Sequence, residues 1–372
     1  MYIYLDESIL NLNLENPDNL CKVEFLLTGY AEGNYILNAP RKLLKFFFDN
    51  SSLSRIARDA AVFAYKNYSM MNAFLEKIPY KIIVKDKSNI NNSDNQWIIS
   101  LTDVKYGFLV NGIVILGENL NDSKFLNFTA QHFQKTSNDY KPFILINHFH
   151  GGGGSTTYNE LDNLLNRKLN HIFCFLDSDK ESPTCLDTDT AKKCIRSINK
   201  NSWLSKFSST NDYREAENLI PLSLLEKIEQ FPLSNIQKIK QIEGKHQVLL
   251  YPYIDIKNGL TKKFLTKISQ TQSQKKEFWH TILQKIALEG IPIECNIVND
   301  ICTIHTQLKD NVCQILPAGT QKTLESTIKV LEKMPIDESF NIIKDDYSSK
   351  AWFEIGETIF WLSCALPKIR LS

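Results

Sequence analysis

The stretch GIVILGE (112–118) is a continuous apolar run that closes on an acid, and it reads as a strand buried on both faces. Residues 123–133 follow as a helix, with Asn121 as its N-cap. FILINHF (143–149) is a second strand and GGGGSTT (151–157) a loop. Thr157 and Glu160 have the spacing of a capping box that opens the next helix. HIFCFLD (171–177) is a third apolar strand, and residues 188–198 form a further helix. Apolar strands separated by helices predict an α/β fold, a parallel sheet flanked by helices. Such sheets bind ligands beyond the carboxyl ends of their strands.

Working outward, residues 1–100 read as a separate α+β domain. YIYLD (2–6), KVEFLLTGY (22–30) and KIIVKD (81–86) are expected as strands. Residues 40–50 and 54–77 carry apolar groups at helical spacing, and KSNINNSDN (87–95) is turn-rich. The central domain extends over 101–265. After Pro221, PLSLLEKIEQF reads as a helix and HQVLLYPYIDI (246–256) as a strand within a basic stretch. Residues 266–372 form a mixed α/β region suited to partner binding, with helices near 278–288 and in TLESTIKVLEKM and AWFEIGETIFWLSCAL. Trp352 and Trp361 are expected to pack into a core or a partner surface.

Hydrophobic residues make up 43% of the 372 and aromatics 11%, enough for real cores rather than disorder. A formal net charge of +1 neither demands nor forbids nucleic acid, since local patches decide that. No stretch approaches 18 uncharged apolar residues, and the first residues lack the pattern of a signal peptide. A cytoplasmic protein without a membrane segment is expected. The eight cysteines form no C-x-x-C pair, which points to reduced thiols rather than a zinc ribbon.

Two of the strands end in acid. Glu118 closes the first, and Asp177-Ser178-Asp179 closes the third. In a parallel sheet both ends lie on one edge, where like charges repel unless a cation joins them. Hard carboxylate oxygens select Mg²⁺ or Mn²⁺ over zinc. Asp122, four residues after Glu118, and Glu217 in YREAENLIP are candidate additional ligands. Lys257, with Lys262 and Lys263, is the candidate cation for a developing phosphorane charge. His148 and His150 are candidates for a base or a phosphate contact, and the glycine run for a gate touching phosphate. Asp187 and Asp189 are expected to cap the helix that starts near Thr190.

The order strand-Glu118, helix, strand, helix, strand-Asp177-x-Asp179, then Glu217-Asn218, resembles the Toprim fold over residues 112–221. The Glu118-x-x-x-Asp122 spacing is most similar to the overcoming-lysogenization-defect (OLD) nuclease branch. The resemblance implies a two-metal phosphodiesterase holding Mg²⁺ or Mn²⁺, with Glu118, Asp177 and Asp179 catalytic and Glu118, Asp122, Asp177, Asp179 and Glu217 as ligands; Lys257, outside the matched stretch, joins the expected catalytic set as the cation in DIKNGLTKK. It implies a nucleic-acid substrate, DNA ahead of RNA, and a role as an anti-phage defence effector. The chain departs from the family in having Gly117 before Glu118 and Asn119 after it. It has no G-x-x-x-x-G-K-[ST], so an ATPase or sensor would be a separate partner. The alternative functions are a catalytically silent Toprim-shaped binding module and a haloacid-dehalogenase-like phosphatase.

Overall fold

The computed structural model describes residues 1–93, 95–229, 231–261, 264, 273–288, 297–298, 301–302, 314–316 and 318–369. The chain divides into two compact units. The first comprises Met1–Phe175, Lys193–Ser208 and Phe353–Ser372; the second comprises Leu176–Lys192 and Ser209–Trp352. Residues 1–100 and the strand–helix alternation that follows them therefore share one unit.

The first unit opens with β1 (Tyr2–Leu5), α1 (Pro17–Ala31), β2 (Ile36–Asn38), α2 (Arg41–Asp49), α3 (Arg55–Lys66) and α4 (Tyr68–Leu75). β3 (Lys81–Lys85), β4 (Asn91–Ser93) and β5 (Gln96–Ser100) complete a sheet of order β2-β1-β3-β5-β4. All its pairings are parallel except the β4–β5 hairpin. The segment KVEFLLTGY is helical, not a strand. Pro17 occupies the first turn of α1, and the Asn16 side chain accepts from the Asp18 N–H at 2.9 Å. Val23, Leu26, Leu27 and Tyr30 then bury one face at three- and four-residue spacing. The helix expected over 54–77 is interrupted at Asn67.

A second sheet of this unit has the order β10-β9-β6-β8. β6 (Ile113–Gly117) is fully buried and pairs in parallel with both β8 (Asn147–Gly151) and β9 (Ile172–Leu176). β10 (Ser205–Ser209) flanks β9. α5 (Leu120–Gln134), α6 (Thr157–Arg167) and α7 (Asp189–Asn201) connect the strands. FILINHF does not form one strand. Its start, β7 (Ile144–Leu145), pairs antiparallel with Cys364–Ala365, and its end belongs to β8. Trp361 is buried against Phe74 and Tyr140. The sheets are parallel-rich and helix-flanked, so the α/β class stands.

The second unit holds α8 (Leu222–Leu225), α9 (Leu233–His246), α10 (Ser273–Leu288), α11 (Thr323–Lys333) and α12 (Ile336–Ile343). PLSLLEKIEQF is a single helical turn, and HQVLLYPYIDI is not a strand: Tyr251–Tyr253 form a 3-10 turn around Pro252. Two features anchor that turn. Glu243 Oε1 accepts the Leu250 and Tyr251 N–H groups, both at 2.7 Å, and the buried Tyr251 hydroxyl donates to Ile220 O at 2.5 Å. No helix among the described residues is long and apolar enough to cross a membrane.

Candidate active-site residues

In the first unit Glu118 stands half-buried just past the end of β6. Its backbone is held by the glycine run. Gly152 N–H donates to Gly117 O at 2.8 Å, and the Gly153 and Gly154 N–H groups donate to Glu118 O at 2.8 and 3.1 Å. These three amides are committed to backbone carbonyls, so the run is not an open phosphate cradle. It is a clamp on the Glu118 peptide. The approach is close enough that a Cβ at Gly152 would sit 2.4 Å from the Thr157 side chain, and one at Gly117 would sit 2.7 Å from Asp122 Cβ.

Asp122, expected among the metal ligands, is 5% exposed and serves the start of α5. Its Oδ2 accepts the Asn119 N–H at 2.8 Å and its Oδ1 accepts from Asn119 Nδ2 at 2.9 Å. Asn119, not Asn121, is the N-cap, and the pair forms a capping box. Asp122→Ala is expected to lower stability by ~1 kcal/mol, the usual worth of a cap, as measured by urea unfolding. The capping box expected of Thr157 and Glu160 does not form. Thr157 donates to Gly154 O at 2.6 Å, and Glu160 Oε1 lies 2.8 Å from His150 Nε2.

The second unit contains Asp177, Asp179, Glu217 and Lys257. Asp177-Ser178-Asp179 follows β9 and is fastened to residues 210–216. Asp177 Oδ1 accepts the Ala216 N–H at 2.8 Å. Ser178 is buried, its N–H donating to Thr210 Oγ1 and its hydroxyl to Tyr213 O. Asp179 is exposed in a left-handed conformation (φ 52°), and its N–H donates to Arg214 O at 2.9 Å. Asp and Asn tolerate that conformation better than most side chains.

Residues 215–218 then form a charged cluster. Asn218 ties it down: its Oδ1 accepts the Glu215 N–H, and its Nδ2 donates to Tyr251 O and Ile254 O. Lys257 Nζ lies 3.1 Å from both Glu215 Oε2 and Glu217 Oε1. Arg214 is largely buried between Glu215 (3.6 Å) and Asp255 (3.3 Å). Burial opposes the charge on Lys257, but Glu217 and Glu215 outweigh it and hold the ammonium protonated well above its ordinary range. Burial raises the Glu215 carboxyl despite Lys257 beside it. Asp255 and Arg214 were missed as members of this cluster; the D-I-K alternation at 255–257 was their only signal.

The structure thus brings Asp177, Asp179, Glu217 and Lys257 into one unit, while Glu118 and Asp122 belong to the other. Lys262 and Lys263 lie outside the described residues. Among the described residues, no group of three or more His, Cys, Asp or Glu side chains is arranged to hold a metal ion. Asp177 and Asp179 offer the hard carboxylate oxygens that divalent cations take; Asp177 Oδ1 accepts the Ala216 N–H, and Asp179 is exposed. Glu217 is committed to Lys257. Comparisons with family models, with curated proteins and with solved structures find no match to this chain.

Proposed function

We propose that this chain is a Mg²⁺- or Mn²⁺-dependent nuclease that hydrolyses nucleic-acid phosphodiesters, with Asp177 and Asp179 as the principal metal ligands. The observation that supports it is the fastening of the Asp177-Ser178-Asp179 turn to the segment carrying Glu217, beside the doubly paired Lys257. Two sequence-distant acidic motifs are built into one unit, and satisfied backbone bonds fix their positions. A bound divalent ion would activate water and neutralise charge at the scissile phosphate. The chain's own part is to orient. The Ala216 N–H sets the Asp177 carboxylate, and Glu215 and Glu217 keep Lys257 a cation able to meet a phosphate oxygen. The Toprim resemblance implies a catalytic role for Glu118, which Glu118→Gln tests on its own. DNA is the first substrate expected, and defence against phage with a separate ATPase or sensor partner is the role the Toprim resemblance implies.

A second reading is a silent nucleic-acid or protein-binding module. The commitment of Glu217 to Lys257 favours it, because a saturated ion pair leaves fewer oxygens for a metal. Plasmid DNA, single-stranded DNA and RNA incubated with Mg²⁺, Mn²⁺ or chelator separate the two. Cleavage that the chelator abolishes is expected; binding without turnover in either metal would favour the module.

A further inference from the structure

A cavity of about 230 Å³ opens beside β8 in the first unit, and none of Glu118, Asp122, Asp177, Asp179 or Glu217 lines it. β8 is an edge strand of its sheet, and His148 and His150, two residues apart, project from the same face of it. One part of the lining is apolar, from Val114, Leu164 and Ile172. The other part is polar, from His148, His150, Arg167 and Asn111.

Most of these polar heads have no described commitment. Among the described residues, the Arg167 guanidinium and the Asn111 amide have no hydrogen bond or ion pair, and the His148 ring meets only the His150 ring. His150 differs, because Glu160 lies 2.8 Å from its Nε2 and fixes the imidazole. A guanidinium, an imidazole and an amide on exposed residues thus line the same cavity as three buried apolar side chains. Arginine's planar donors match a tetrahedral or planar oxyanion in bidentate fashion. The volume is below the ~300 Å³ at which drug-sized pockets begin, so the occupant is small. A bare inorganic ion would leave the apolar wall unfilled.

We propose that this cavity binds a small organic phosphate monoester, with its phosphate on Arg167, His148 and Asn111 and its organic body against Val114, Leu164 and Ile172. A carboxylate on the same kind of body shares the recognition chemistry, and the test separates the two. Isothermal titration of the full chain with phenyl phosphate, inorganic phosphate and benzoate gives the comparison. Saturable binding of phenyl phosphate is expected, tighter than either of the others. Arg167→Met should weaken it about ten- to a hundredfold, as the loss of a charge-assisted contact implies. Arg167 is exposed at the end of α6, and circular dichroism checks that the variant folds. His148→Gln is the second variant and should weaken binding in the same sense. Absence of saturable binding overturns the proposal, as does affinity unchanged in both variants. Benzoate or inorganic phosphate binding as tightly as phenyl phosphate overturns the phosphate-monoester assignment.

Discussion

Asp177→Asn is expected to lower phosphodiester cleavage about a thousandfold or more while leaving the fold nearly as stable as in the unaltered protein. The activity loss follows from removing one carboxylate charge from a metal ligand, several kcal/mol of transition-state stabilisation at 1.36 kcal/mol per tenfold. The retained stability follows from geometry. Asparagine keeps an Oδ1 that can accept the Ala216 N–H, the 2.8 Å bond that holds the turn to residues 210–216. Asp177→Ala is expected to lose both, the activity to the same degree and stability by ~1 kcal/mol for the missing hydrogen bond. Cleavage rates and urea midpoints for the two variants make the comparison. Full cleavage by Asp177→Asn would remove Asp177 from the chemistry, whereas equal destabilisation by both variants would assign it to the fold.

Acid is the second large effect, and His171 is its clearest source. This residue precedes β9, is fully buried and stands edge-on to Trp97 at 4.4 Å between ring centroids. Neither ring nitrogen has a hydrogen-bond partner among the described residues. Burial, with smaller contributions from the chain's amino terminus and Lys206, pushes the imidazole down to about 3. An unfolded histidine protonates near the ordinary value of 6.5. Between those values the unfolded state binds the extra proton, so stability falls as pH falls. At pH 5 the cost is ~2 kcal/mol. His132, which burial pushes down to about 4, acts in the same direction. Glu215 and Glu243, raised by burial, act in the opposite one, because their folded forms take up protons first. His171→Phe isolates the first contribution. Relative to the unaltered protein it should gain ~2 kcal/mol between pH 7.5 and pH 5, as read by urea unfolding at both. An unchanged difference between the two pH values would show that His171 takes up its proton without unfolding.

The parts of the fold legible from sequence were those in which local pattern and tertiary environment agree. The apolar runs of GIVILGE and HIFCFLD follow from cover on both faces of β6 and β9, every residue of which is buried. KVEFLLTGY misled because its apolar residues are dense enough to suit either period, and the Asn16-Pro17 helix start lay well upstream. FILINHF misled because chain order hides β7's partner, Cys364–Ala365, more than 200 residues later. α9 was missed because its apolar face is reduced to Ile236, Ile239 and Ile242 among lysines.

At the candidate site, residue identity was easier to read than commitment. Asp122 carried the spacing of a ligand but serves a helix cap. Glu217 and Lys257 were both singled out, yet their mutual 3.1 Å pairing depends on where Tyr251–Tyr253 turns the chain back, which no local motif announces. The glycine run is legible as a loop, but its role as a clamp on the Glu118 carbonyl emerges only from the pairing of β8 with β6.

Titration of the purified protein with Mn²⁺, followed by electron paramagnetic resonance of the free ion, examines the core of the proposal without depending on a choice of nucleic acid. The unaltered chain should take up the ion saturably, and the chain carrying both Asp177→Ala and Asp179→Ala should lose that uptake while remaining folded. Equal uptake by the two proteins, or none by the unaltered chain, would contradict the assignment of these aspartates as metal ligands.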